Sequence, residues 1–471
     1  MLFPLLEILD RAETGPRMTE KEFDIKLFRT IQRLVKEHDI KYNPEEIVPT
    51  DDTLAKDVFE AGFQLAAEMG FYNISSKRQI LLDESELKYV LRRLPDVVVG
   101  GEDKDQVFIY PRKIEDRRLP IVWAGCAGQP FTEEMYARVH QGCAQLPIAD
   151  VLSIGHLISV EGRWIKPGSP YEVLGSIKEV QLNRQLLTAA GRPGMPVDTG
   201  PNTPITAIGV IAGFSKEFGQ RPSDFWLIPV LNEMKTDYDR LARVVYCMQM
   251  GCNIIVLQDP IIGGIGGGPE GIALLGVSER ILGAAIYQAT TNIWHPLSMK
   301  YRGGATTPPY VMWAQNAAGQ ALAKYTRLIS DGNVFTVAKA GTDMELWEIA
   351  ANTLGMVVSG LHAGPGIGGA VEPDYETPLG PKLMGEVAYA AVKFNRKDAN
   401  ELVKTIMKKY VDKLDNPPPS KKFQECYDPT TLQPRKEWLD TYLEVRKELE
   451  DMGLDFSYAF EREYRFMEER S

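Results

Sequence analysis

The 471-residue sequence is poor in several things that would point to particular partners or compartments. It has no concentrated basic surface: a formal charge of -11 and no visible Lys/Arg cluster exclude a nucleic-acid backbone as partner. It has no run of about 18 apolar residues, which excludes a membrane-spanning helix, and its start lacks the order of a secretory signal. A cytoplasmic location is expected. Cysteine is scarce and odd in number: Cys126, Cys143, Cys247, Cys252 and Cys426 are scattered without ligand spacing, which excludes a disulfide framework and a zinc motif. Histidine is equally scarce, and His156 and His362 lie in no metal-binding motif, so no bound metal is expected.

What the sequence has is an ordinary globular balance, 44% hydrophobic and 25% charged, in an ordered layout. Residues 1–118 carry helical periodicity and dense charge and read as a helical N-terminal layer. From Pro120 the texture changes to short apolar segments alternating with helical patterns. The segments are Pro120–Gly125, Val151–His156, Gly194–Asp198, Phe225–Val230, Asn253–Gln258, Pro296–Tyr301, Asn333–Val337 and Met356–Ser359. Eight strand-helix alternations predict a (β/α)8 TIM barrel over residues 119–395, an α/β fold, with a doubly wound open sheet as the competing arrangement. Residues 396–471 return to charged helices broken by Asn416-Pro417-Pro418-Pro419 and read as a helical C-terminal extension.

In a barrel, residues that follow the strands converge on one mouth. That rule selects Asp198 and Thr199, Gln258 and Asp259, Tyr301 and Arg302, Thr336 and Lys339, and His156 and His362. Carboxylates there hold a cation or work as acid and base, and Trp123, Tyr301 and Phe335 offer aromatic faces to an ammonium group. Each also has a structural reading: Asp198 as a helix cap, Asp259 before Pro260 as a turn residue, Lys339 as surface lysine. Two glycine-rich stretches, Gly263–Gly268 and Gly364–Gly369, read as close-approach loops that leave room at the mouth.

Several blocks in order carry a family likeness: Ser169-Pro170-Tyr171-Glu172-Val173-Leu174, Ala190-Gly191-Arg192-Pro193-Gly194-Met195 with Gly200-Pro201 beyond, Met384-Gly385-Glu386-Val387, Phe423-Gln424-Glu425-Cys426-Tyr427-Asp428 and Lys447 to Leu454. Together they resemble the archaeal monomethylamine methyltransferases over nearly the whole chain. The resemblance implies a TIM barrel, a homo-oligomer of hexameric type, that passes a methyl group from a methylated amine to the Co(I) corrinoid of a partner protein. The corrinoid is then the partner's, and this chain holds no cofactor of its own.

The family's hallmark is a pyrrolysine just after the Gly-Met-x-Val run. Here Asp198 or Thr199 fills that place, so the imine electrophile is absent. The family's glutamate after strand five falls on Gln258, with Asp259 adjacent, and its glutamine and tyrosine after strand seven fall on Val334 and Thr336. Without the electrophile a primary methylamine lacks activation, whereas a quaternary ammonium already has a competent leaving group. The expected donor is therefore a quaternary ammonium or betaine, with Asp198, Thr199, Gln258 and Asp259 in catalytic positions. Trp123, His156, Tyr301, Arg302, Phe335, Thr336, Lys339 and His362 are the expected substrate-binding side chains, Arg302 or Lys339 holding the anionic end of a betaine. Two further readings stay open: a lyase or hydrolase using Asp198 and Asp259, and a silent homologue that binds without turnover.

Overall fold

The computed structural model describes residues 1–301, 303–368 and 372–468, with backbone alone for 365–368. The eight strands of the barrel are β1 (Trp123–Gly125), β2 (Val151–Ser153), β3 (Val197–Asp198), β4 (Phe225–Pro229), β5 (Asn253–Gln258), β6 (Thr291–Trp294), β7 (Ile329–Phe335) and β8 (His362–Gly368). They pair in parallel in that order, β1 to β3 in one sheet and β4 to β8 in another. Two parallel bridges, Gly200 with Trp226 and Val122 with Ala363, join the sheets and close the barrel. The open-sheet alternative is thereby excluded.

The alternating helices are α1 (Glu133–Ala144), α2 (Pro170–Ala189), α3 (Ala207–Ala212), α4 (Tyr238–Met250), α5 (Pro269–Ile286), α6 (Pro309–Tyr325), α7 (Asp343–Val358) and α8 (Leu379–Ala391). Their starts obey local chemistry. Proline opens α2, α5 and α6 in the first turn, where its missing N–H costs nothing. Thr132, Asp237 and Thr342 cap α1, α4 and α7 with their side chains.

Before the barrel, helices Leu5–Thr14, Glu20–Glu37, Asp52–Met69 and Glu84–Arg92 alternate with two short hairpins, Phe71–Asn73 with Arg78–Ile80 and Val98–Gly100 with Val107–Ile109. Asp52–Met69 lies against α5 and α6. After the barrel, Lys436–Asp451 lies against α7 and Ser457–Glu468 against α8. Among the described residues no helix is long and apolar enough to cross a membrane.

Strand parity decides what enters the barrel. Trp123, Val151, Phe225, Ile255, Ile293 and Ile329 form one buried apolar cluster, the inward layer that closes the floor, with Trp123 and Phe225 rings 4.8 Å apart edge to face. Val197, Leu152 and Val256 belong to the outer layer between strands and helices. Asp198, Asp259, Asp331 and Asn333 are thereby turned inward and Gln258 outward, since neighbours in a strand alternate faces.

Three strands differ from the sequence expectation, the seventh because it runs Ile329–Phe335 and begins four residues before Asn333. The sixth lies at Thr291–Trp294, before Pro296, and the eighth begins at His362. Met356-Val357-Val358 form the last turn of α7 instead. An apolar run buried on every side shows no period, so β-branched residues there are equally at home in a buried helix. The stretch from Gly364 to Gly368 is strand β8 and not a loop, and Gly369 lies outside the described residues. Gly263–Gly268 is a loop, but the protein fills it: Glu233 accepts from the Ile261 and Gly266 amides at 3.2 and 3.0 Å.

Candidate active site

A cavity of about 230 Å³ opens at the C-terminal ends of the strands. Leu227, Leu257 and Ile293 form its apolar base, Thr199 and Asn202 one side, and Asp259, His295, Asn333 and Phe335 the other. The size is that of a small molecule.

Asp259 follows β5 directly and turns its carboxyl group to the cavity, where burial pushes its pKa up to about 6. No described Lys or Arg side chain lines the cavity with it. His295 follows β6 in the same way. Its ring lies 4.7 Å from that of Phe335, tilted by 31°, and its Nδ1 is 3.4 Å from Asn333 Nδ2. Burial alone drives this imidazole down to about 3, so at neutral pH it is an uncharged ring. The only ionisable charge among the described lining side chains is thus negative.

Asp198 sits one step beneath the lining residue Thr199. Its Oδ2 accepts from Ser153 Oγ at 3.1 Å and its Oδ1 from the Thr199 amide at 2.5 Å. It does not cap a helix: the amides of Asn202 and Thr203 donate instead to Glu179 of α2, at 2.7 and 2.6 Å. Complete burial raises Asp198 to about 7 against the lowering by Ser153 and Thr199. Thr199 itself has φ of 62°, a left-handed conformation that a β-branched residue takes only when its surroundings hold it there. Its hydroxyl does so, bonded to the Ile154 carbonyl at 3.1 Å.

Other expected site residues are elsewhere. Gln258 faces outward, its Nε2 3.4 Å from the Glu279 carbonyl on α5. Trp123 plugs the floor. His362 starts β8 and is held at the floor, accepting from the Ile121 amide at 3.0 Å and reaching the Tyr110 carbonyl at 2.9 Å. Burial lowers His362 to about 3. Thr336 and Lys339 lie outside the cavity: the Lys339 ammonium donates to the Thr336 carbonyl and hydroxyl, near Glu345, Glu348 and Glu376. Tyr301 is buried under the ammonium of Lys300, 5.2 Å from its ring, and is not a cavity wall. His156 stands half-buried at the rim beside Gly128, and Arg302 lies outside the described residues. On β7 the side chains that line the cavity are Asn333 and Phe335; Val334 belongs to the outer apolar layer.

The structure therefore gathers Thr199, Asp259 and Phe335 at the cavity with Asp198 below, and adds His295, Asn333 and Asn202, which the sequence reading missed. His295 follows its strand as Asp259 does, and would have been found had the sixth strand been ended at Trp294, seven residues earlier. Among the described residues, His38, Asp57 and Glu60 bring three metal-binding atoms within 4.8 Å of one another, on the N-terminal helices and not at the mouth.

A closed (β/α)8 barrel whose mouth presents a carboxyl group, a neutral imidazole and an aromatic ring to one small cavity is the frame of a barrel enzyme acting on a small molecule. Comparison with known proteins narrows this. The sequence matches the family described as Monomethylamine methyltransferase MtmB over residues 3–454. It is 30% identical over 457 residues to Monomethylamine methyltransferase MtmB of Methanosarcina mazei, covering 96% of this chain and 99% of that one. MtmB1 of Methanosarcina acetivorans is equally similar, 30% over 457 residues. The crystal structure of Methanosarcina barkeri Monomethylamine Methyltransferase (MtmB) superposes with a TM-score of 0.91 at 28% identity, over 97% of this chain and 99% of that one. The crystal structure of a hydroxylamine MtmB complex gives the same values. The chain belongs to the monomethylamine methyltransferase MtmB family and is a methyltransferase.

Proposed function

We propose that this enzyme moves a methyl group from a cationic methylated amine, a quaternary ammonium in preference to monomethylamine, to the Co(I) corrinoid of a partner protein, and does so without pyrrolysine. The observation that carries the reading is the charge of the cavity: Asp259 faces it with no described cationic side chain in the lining, beside the uncharged rings of His295 and Phe335. A permanent cation fits such a wall, gaining both the carboxylate and the aromatic face. The quaternary nitrogen also needs no prior activation, in keeping with Asp198 and Thr199 standing where the family resemblance places the electrophile. The chain's own part is to bind, orient and desolvate the donor so that one methyl group points out of the mouth toward the incoming cobalt.

For a betaine, Arg302, one of the two cations expected at its anionic end, lies outside the described residues. Its anionic end needs a cation at the cavity, and Lys339 is engaged with Thr336 outside it. The test is methyl transfer to a reduced corrinoid protein, followed by the cobalt absorbance, with tetramethylammonium, choline, glycine betaine and the three methylamines as donors. Turnover with tetramethylammonium or choline exceeding that with monomethylamine is expected. Turnover with monomethylamine alone, or with none of the panel, would overturn the reading.

A further inference from the structure

Asp259 and His295 stand side by side at the mouth. Gln258 of β5 and Trp294 of β6 are paired, and the His295 amide donates to the Gln258 carbonyl at 3.2 Å, so the residues that follow are neighbours on strands about 5 Å apart. The His295 ring is fixed on a face and on an edge. Phe335 covers the face, with the ring centroids 4.7 Å apart. On the edge, the Asn333 amide decides which ring nitrogen carries the proton. Asn333 Oδ1 accepts from the Val334 amide at 2.9 Å, which leaves Nδ2, a donor only, toward His295 Nδ1 at 3.4 Å. Nδ1 is therefore the accepting nitrogen, and the ring proton sits on Nε2. That N–H has no partner among the described residues, in a ring that lines the cavity. Other polar side chains of the lining are bonded within the protein: Thr199 Oγ1 and Asn202 Nδ2 each donate to the Ile154 carbonyl at 3.1 Å.

We propose that the His295 Nε2–H receives an oxygen atom of the donor, so that the substrate is a quaternary ammonium carrying a hydroxyl or carbonyl oxygen, its nitrogen against Asp259. The inference rests on the cation reading above and narrows it. A shielded N–H left without an acceptor is costly, and a purely hydrocarbon cation such as tetramethylammonium offers it none. An oxygen on a short carbon arm reaches the neighbouring strand from a nitrogen held at Asp259. The apolar base of Leu227, Leu257 and Ile293 suits the methyl groups and gives an oxygen no partner. Burial disfavours the charged form of the ring, so His295 donates without setting a positive charge against the ammonium. A site built to hydrogen-bond a substrate oxygen discriminates against the analogue that lacks it. Asn333 acts through His295 as a positioning residue, because its amide keeps the proton on the nitrogen that has no protein partner.

Choline and n-propyltrimethylammonium, equal in charge and nearly equal in size, differ in that a methyl group replaces the hydroxyl. By isothermal titration of the full-length protein, the wild type is expected to bind choline roughly three- to tenfold more tightly, the worth of one net hydrogen bond. In H295F, which keeps a ring but has no N–H, the two ligands should bind alike, and N333L should narrow the ratio by releasing the tautomer. Nitrogen-15 NMR of the histidine-labelled protein reads the tautomer directly. The chain has five histidines, so one signal is assignable by its loss in H295F or H295Q, and His295 is expected to carry its proton on Nε2. Propyltrimethylammonium held as tightly as choline by the wild type, a choline preference that survives in H295F, or a proton on Nδ1 would each overturn the inference and leave the cation reading standing. Binding of neither ligand would overturn the cation reading as well. The wild-type affinity ratio requires no variant, so it decides the matter even where a substitution at His295 impairs folding.

Discussion

At the scale of single residues the site is an argument about charge. Asp259 is the carboxyl group at the cavity wall, and burial raises it to about 6. It is therefore neutral below that pH and gains its charge above it. If that charge attracts the donor, kcat/KM for a cationic substrate falls as pH drops through about 6, and Asp259→Asn abolishes this acid limb. The same substitution lowers kcat/KM at pH 7.5 by about 10- to 100-fold, a loss of roughly 1.4–2.7 kcal/mol of cation stabilisation. A neutral donor analogue should bind the variant and the wild type alike, which isothermal titration can check. Phe335 supplies the aromatic face: Phe335→Leu keeps the apolar volume and should cost about 0.5–2 kcal/mol of cation affinity with stability little changed. Equal affinities for the two proteins would remove the ring from the site.

At the scale of elements, one interaction fixes the stretch that carries Asp198 and Thr199. Glu179 reaches from α2 to the amides of Asn202 and Thr203, and burial raises it to about 7 even so. Glu179→Ala leaves one buried and one part-buried amide without this acceptor and should destabilise the protein by about 2–4 kcal/mol, measured by denaturant unfolding. Glu179→Gln, which keeps one acceptor, should recover part of this. A loss below about 0.5 kcal/mol for the alanine variant would show that the loop does not depend on α2. The partners lie 23 and 24 positions apart, a separation that no local pattern reveals. Strand order and most strand ends were legible, because each parallel strand is a short apolar run between turn residues; β5 was found at its full extent, Asn253–Gln258. Parity was not legible. In β5 both faces are apolar, Ile255 and Leu257 inside, Ile254 and Val256 outside, so Gln258 and Asp259 looked equally entitled to the mouth. Asp331 was hidden for the opposite reason: Ser330-Asp331-Gly332 interrupts the apolar run and masked the first half of β7. A polar group inside a barrel breaks the very signal by which the strand is found.

On the scale of the whole molecule the fold buries many acids, and this sets how stability responds to pH. Asp198, Glu179, Glu348 and Glu376 are raised to about 7 and Glu279 to about 8, in each case chiefly by desolvation. A carboxyl group whose folded pKa lies above its unfolded value binds its proton more tightly in the native state. Its contribution is complete below the unfolded value near 4 and is lost as pH rises through the folded one. The buried histidines act the other way. His140 is lowered to about 4 and His295 and His362 to about 3, so they withdraw stability as pH falls below about 6.5 and are silent above it. Lys339, also lowered by burial, acts against the acids, but it is one group against five. Between pH 6.5 and 8 the acids therefore dominate, each capable of contributing up to about 1.4 kcal/mol per pH unit. Chemical unfolding at fixed salt should show a lower midpoint at pH 8 than at pH 6.5. Replacing Glu279 by Gln should flatten that slope, because this acid is raised furthest of the five. A midpoint that holds steady or climbs across the interval would mean that the enclosed acids do not keep their protons in the native state.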